Sequence, residues 1–215
     1  KHLLPEYDVF NEHRYFEPGN SPLVFKLGGY KFGLSICEDL WSHDPEIKKL
    51  YTTDPLQKLK KHKVDFLINI AASPFDEGKM SRRLKILGRE AVRANAGIFY
   101  VNQYGANDSL IFEGGAGFID ASGKPRQGFL EFDNNLQIID TDTLKKNYVP
   151  KTIPVTESLA RALVLGISDY VHKTGHKGVV LGLSGGIDSS VVACLAVQAV
   201  GAENVLGILM PSRYS

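Results

Sequence analysis

The chain has 215 residues, 43% hydrophobic and 23% charged, and 25 Lys+Arg against 24 Asp+Glu leave a net charge of +1. That length allows one large domain or two modest ones, and the balanced charge gives no general electrostatic ground for binding nucleic acid or an anionic membrane. Its apolar runs fall far short of the roughly 20 residues a membrane span needs, and two cysteines, Cys37 and Cys194, are too few for a disulfide scaffold and suit a reducing compartment.

Up to Gly19 the chain is polar, with Pro5 and Pro18 breaking any regular element. The segments 23–27 and 30–36 flank Gly28-Gly29 and predict a β-hairpin. Asp54-Pro55 reads as an N-cap followed by proline at the first helical position, opening a helix that ends near Lys63. Strands are expected over 64–70 and 98–102. Between them, residues 81–95 carry Leu84, Leu87 and Ala91 at helical spacing, opposite Arg82, Arg83, Arg89 and Arg93. That basic side is expected to be a solvated face rather than an RNA track. From Leu110 to Asp140 short strands follow one another between turns at 114–115, 122–125 and 134–135.

Around residues 144–154 the composition changes to lysines, Pro150 and Pro154, which reads as a linker between a first domain over 1–143 and a second over 155–215. The second domain reads as helix 157–173, strand 179–183, a glycine loop, helix 187–200 and strand 205–210, an alternation that argues for a parallel sheet with crossover helices. Two parallel strands cannot cover their own faces. With Lys1 in place of an initiating Met, this points to an excerpt of a longer chain.

Strand 178–183 feeds Ser184-Gly185-Gly186-Ile187-Asp188-Ser189-Ser190 at the start of a helix. Glycines let the backbone approach an anion, and a helix N-terminus carries unpaired N–H groups and partial positive charge. Ser184, Ser189 and Ser190 add hydroxyl donors, and Asp188 is a candidate magnesium ligand. The bland alternative is a tight turn whose serines cap the helix. No lysine follows the glycines, so the loop is not of the Walker type. It resembles the pyrophosphate loop of the ATP pyrophosphatases, which implies ATP with Mg2+ as substrate and an ATP-binding stretch of Gly182, Leu183, Ser184, Gly185, Gly186, Ile187, Asp188, Ser189 and Ser190.

Cys37 stands at the end of a strand and is followed by Glu38-Asp39-Leu40-Trp41. A thiol there is either a small buried hydrophobe or a nucleophile aimed into a cleft. The stretch 33–41 resembles the nucleophile segment of the nitrilase superfamily, whose amidases use a Glu-Lys-Cys triad. Residues 1–5 resemble the segment of the catalytic lysine, residues 69–75 the loop that lines the amide pocket, and 112–115 a further family stretch. The resemblance implies that Lys1 supports the thiolate and the oxyanion, and that a general-base glutamate lies upstream of it. Glu12 matches a second family glutamate that orients Lys1 or water, with a plain surface carboxylate as the alternative.

A nitrilase-like amidase followed by an ATP-pyrophosphatase loop is the arrangement of the glutamine-dependent NAD synthetases. Stretches 1–16, 36–41, 169–171, 181–190 and 210–215 resemble that family. The implied fold is α/β: the C-terminal part of a nitrilase-like α-β-β-α sandwich, then the start of a doubly wound parallel-sheet domain like that of the adenine nucleotide α-hydrolases. The implied partners are glutamine, ATP and deamido-NAD, with no nucleic acid or membrane, in a cytoplasmic homo-oligomer. By position Tyr7, Ser73 and Lys79 match glutamine-binding residues, Lys79 having a solvated lysine as its alternative, and Glu38 is placed to receive the substrate's ammonium or amide. The competing reading is a nitrilase-type amidase with a nucleotide-binding regulatory module. The six histidines show no paired metal spacing. Cys194 is expected in core packing, and Arg213 is a weak phosphate candidate.

Overall fold

The computed structural model describes residues 1–45, 47–144 and 147–211. The chain forms two compact units, one of Lys1–Ser73, Gly78–Gln103 and Gly114–Thr152, the other of Pro74–Glu77, Tyr104–Glu113 and Ile153–Ser215. Arg213 lies outside the described residues. Among those described, no helix is long and apolar enough to cross a membrane.

The first unit is built on a six-stranded sheet. Strands β1 (Leu23–Leu27) and β2 (Tyr30–Ile36) form the hairpin expected around Gly28-Gly29. Both glycines take positive φ, 58° and 87°, as a two-residue turn between antiparallel strands requires. Strands β3 (Phe66–Ala71) and β4 (Gly97–Asn102) extend the sheet in parallel from β2, and β7 (Gly117–Ile119) and β8 (Pro125–Gly128) complete it in the order β1-β2-β3-β4-β7-β8.

Two crossover helices make the parallel order possible. Helix α1 (Pro55–Lys60) starts as the sequence predicts, with the Asp54 carboxylate accepting from the N–H groups of Leu56 and Gln57. It ends three residues short of Lys63, which has left-handed φ (50°). Helix α2 (Lys79–Ala94) lays Ile86, Leu87 and Ala91 against Leu67, Ala71, Ile98 and Tyr100 of the sheet. Each fully buried leucine here contributes about 1.5–3 kcal/mol. Gly88 is needed where α2 meets the turn after β7, because a Cβ there would lie 2.7 Å from the Gly123 carbonyl oxygen. The opposite face of the sheet carries a row of rings, Phe25, Phe32, Phe66, Phe99 and Phe118, with successive centroids 4.6–5.6 Å apart.

Two expectations fail in this unit. The arginines of α2 are not a solvated face. Arg83 is fully buried with its guanidinium over the Tyr100 ring, Arg82 pairs with Asp44, and Arg93 pairs with Asp54 and Glu90. Carboxylates from distant parts of the chain are carried to this helix by the fold, which periodicity cannot foresee. Beyond β8 the expected strands stop at isolated bridges, because Phe129 and Phe132 adopt positive φ (60° and 58°) and end the extended run.

In the second unit the hairpin of β5 (Tyr104–Asn107) and β6 (Leu110–Glu113) packs on α3 (Val155–Lys173). The Asp169 carboxylate accepts from the Ala106 N–H at 2.6 Å, and the Lys173 ammonium donates to the Ala106 carbonyl, also at 2.6 Å. Burial alone would raise the Asp169 carboxyl; that N–H and Lys173 outweigh it and hold the carboxyl below its ordinary range. The strands β9 (Val179–Leu183) and β10 (Val205–Leu209) run parallel, with α4 (Ile187–Val200) as their crossover. Cys194 on α4 is exposed, not core: Val191 and Val192 are also about half exposed. The mixed α/β architecture with parallel strands is the expected class.

Candidate active site

The parallel strands β2 and β3 end at the same level, with Ile36 opposite Ile70, so the residues after them are neighbours. Carboxyl ends of adjacent parallel strands are where open α/β sheets place their ligands. Cys37 occupies this position at φ +48°, an uncommon conformation for a residue with a side chain, and opens a 3₁₀ turn over Cys37–Leu40. The fully buried Asn69 holds the turn from β3. Its Nδ2 donates to Ser35 Oγ (3.0 Å) and to the Cys37 carbonyl oxygen (3.3 Å).

Burial pushes the Cys37 thiol up from its ordinary value, while Lys1 and the Ala72 N–H favour the thiolate and pull the other way. Glu38 and Glu12 add to the upward push. Cys37 as a whole is half-buried, and its thiol packs at the edge of the core within electrostatic reach of the Lys1 ammonium. Lys1 Nζ sits 2.5 Å from both carboxylate oxygens of Glu12. The Glu12 N–H donates to the Pro5 carbonyl at 3.1 Å, and the Gly19 N–H to the Lys1 carbonyl at 2.7 Å, folding the first segment back on itself.

Glu38 is buried, and its Oε1 accepts from the hydroxyls of Tyr7 and Tyr51, each at 2.8 Å. Burial raises the Glu38 carboxyl, and the bonds from Tyr51 and Tyr7 only partly offset it. Burial and the adjacent Glu38 raise both phenols in turn, so they stay neutral donors. Tyr51 carries no signal in the sequence, since it stands in a stretch without periodicity. Its loop is fastened to α2 by Arg82, which pairs with Asp44 and lies 5.5 Å from the Trp41 ring centroid, and by Arg93, which reaches Asp54 at 2.6 Å.

The structure thus brings Lys1, Tyr7, Glu12 and Glu38 to Cys37. Ser73 follows Ala72 beyond β3, with its backbone N–H and C=O bonded to the Asn102 amide at 2.8 and 3.1 Å. Lys79 is the half-buried first residue of α2.

The loop after β9 is made differently. Gly185 takes φ +81° with open space around it. Ser189 Oγ and Ser190 Oγ donate to the Gly186 carbonyl at 3.0 and 2.9 Å, and Ser184 Oγ accepts from the Gly186 N–H at 3.3 Å. The hydroxyls therefore brace the loop itself. Anion donors remain in the first-turn N–H groups of α4, which lack intrahelical acceptors. Gly182 and the stretch 184–188 are exposed, while Leu183 and Ser189 are half-buried.

Residues 159–215 match the family described as NAD synthase. The glutamine-dependent NAD(+) synthetase of Synechocystis sp. is 43% identical over 100% of this chain, which covers 40% of that relative. Over its whole length the chain is similar to glutamine-dependent NAD+ synthetases. It spans about 40% of the length of the curated relatives it matches. Among solved structures, the glutamine-dependent NAD+ synthetase of Acinetobacter baumannii in complex with ADP superposes with a TM-score of 0.88 at 37% identity, covering 100% of this chain and 40% of that one. The NitN amidase of Nesterenkonia sp. AN1 shares the fold over 66% of this chain and 51% of its own, at a TM-score of 0.51 and 23% identity.

Proposed function

We propose that the protein makes NAD from deamido-NAD, with glutamine as nitrogen donor and ATP as activator. The observation that carries this reading is the presence in one chain of a Cys37 thiol beside the Lys1 ammonium and of a Ser-Gly-Gly loop at a parallel strand-to-helix junction. We assign residues 1–143 to the amidase part, 144–154 to a linker and 155–215 to the synthase part.

At the first site Cys37 Sγ bonds to the glutamine side-chain carbon as its proton leaves for a base. The oxyanion that forms is stabilised by the Lys1 ammonium and a backbone N–H near Glu38. Collapse expels ammonia and leaves a thioester, which water cleaves to glutamate, returning the thiol. Glu38 receives the substrate's ammonium, its Oε1 already held by two phenols. Tyr7 and Ser73 line the same site, and Lys79 takes the α-carboxylate. Glu12 holds Lys1 in place.

At the second site the nicotinate carboxylate of deamido-NAD attacks the α-phosphorus of ATP, and pyrophosphate leaves onto the stretch Gly182–Ser190. Ammonia then displaces AMP from the acyl adenylate. The balance is glutamine, ATP, deamido-NAD and water to glutamate, AMP, pyrophosphate and NAD. Mg2+ arriving with ATP would neutralise charge on the phosphates, with Asp188 as the residue that would hold it. The single exposed carboxylate of Asp188, in the first turn of α4, fits the one or two protein ligands such an ion takes. The reading carries a cytoplasmic location, which the free thiols Cys37 and Cys194 fit, and a homo-oligomer, which light scattering would size.

The test is a mass balance on the purified full-length protein. AMP and NAD should appear in equal amounts. ADP as the product would overturn the ATP chemistry, and glutamine hydrolysis without ATP turnover would favour an amidase with a regulatory nucleotide site.

A further inference from the structure

We propose that Asp39 is a positioning residue: its carboxylate fastens the segment that carries Lys1 to the turn that carries Cys37. The inference rests on the amidase reading above.

Asp39 lies inside the 3₁₀ turn Cys37–Leu40 and is only 2% exposed. Its Oδ1 accepts from the backbone N–H groups of His2 (2.8 Å) and Leu3 (2.9 Å), and its Oδ2 accepts from the Ile36 N–H (3.0 Å). Residues 1–5 belong to no sheet, so His2 and Leu3 have no ladder to bond to. A buried carboxylate supplies the acceptors instead, and bonds to an ionised acceptor are roughly twice as strong as neutral ones. The Ile36 bond fixes the same carboxylate to the residue just before the sulfur. One side chain therefore ties backbone adjacent to an amine to backbone adjacent to a thiol, although the two lie 36 positions apart. The contacts of the Lys1 and Pro5 carbonyls, by contrast, reach only residues 12–19 of the same segment and leave its register on the turn open. Tyr7, through Glu38, is a second tie farther along.

Asparagine at position 39 keeps an oxygen for His2 and Leu3 but turns an NH2 group toward the Ile36 N–H, donor against donor. The segment then shifts and Lys1 leaves the sulfur. The groups whose charge bears on that sulfur are Lys1, Glu38 and Glu12.

The experiment follows iodoacetamide alkylation of the Cys37 peptide by mass spectrometry across the alkaline range, in the full-length protein and its D39N variant. The account expects the D39N curve to move to higher pH. It also expects the glutaminase kcat to fall at least about tenfold, as small misplacements of reacting groups do, with KM little changed. The sign is diagnostic, because removing a negative charge by itself would move the curve to lower pH. His2→Pro deletes one of the donors and leaves the carboxylate, and should act in the same direction. An unchanged or lowered curve in either soluble variant overturns the proposal. So does rapid hydrogen exchange of the His2 and Leu3 amides in the unaltered protein, a measurement that needs no variant to fold. Failure of Cys37 to alkylate in the unaltered protein would instead overturn the amidase reading.

Discussion

The Cys37 site and the loop at 184–190 reach their chemistry by opposite routes. The first is assembled: residues 1, 7, 12, 38, 51 and 69 are drawn together by side-chain bonds between elements, all of them at least partly buried. The second is contiguous: seven successive residues between β9 and α4, braced by their own hydroxyls, offer backbone N–H groups at an exposed helix start. An assembled site is sensitive to each side chain that holds it, whereas a contiguous one is sensitive mainly to its backbone.

Glu38→Gln should show the larger effect. The substitution leaves the Tyr7 and Tyr51 hydroxyls facing an amide and removes the charge expected to meet the substrate's ammonium. A charge-assisted bond of about 1.5–3 kcal/mol predicts a rise in KM for glutamine of about 10–100-fold, read by steady-state glutaminase assay. Because burial raises the Glu38 carboxyl, the proposed reading expects the unaltered protein to lose affinity for glutamine as pH falls through that raised value, and the variant to lack this acid limb. For stability the sign is reversed. A carboxyl raised in the folded state contributes most below its unfolded value and progressively less as pH climbs through the folded one.

Gly185→Ala should show the smaller effect. Nothing lies within 4 Å of the added methyl, so the penalty is the left-handed backbone alone, about 1–2 kcal/mol. The account expects a rise in KM for ATP of about tenfold or somewhat more with glutaminase activity unchanged. An effect on glutaminase equal to that on ATP would erase the distinction between the sites.

The same contrast explains what could be read from the sequence. The hairpin at Gly28-Gly29, the Asp54 cap and the β9-loop-α4 unit depend on neighbouring residues, and each stands where local chemistry places it. Cys37 was legible because its strand-end setting is also local. Tyr51, Asp39 as a tie to His2 and Leu3, and the burial of Arg83 over Tyr100 were not, because each depends on a partner brought from far along the chain. β5 has no clear signal in the sequence for a local reason: Gly105, at φ +116°, interrupts the alternation expected of a strand. The exposure of Cys194 shows the converse. An apolar helix pattern predicts burial only where a second layer is present to cover it.

Cys37→Ala tests the pairing of the two sites most directly, with NAD formation measured from glutamine and, separately, from an ammonium salt. The account predicts that glutamine-driven synthesis disappears while ammonium-driven synthesis persists at a comparable rate. Loss of both in a folded protein, or survival of the glutamine-driven reaction, would contradict it.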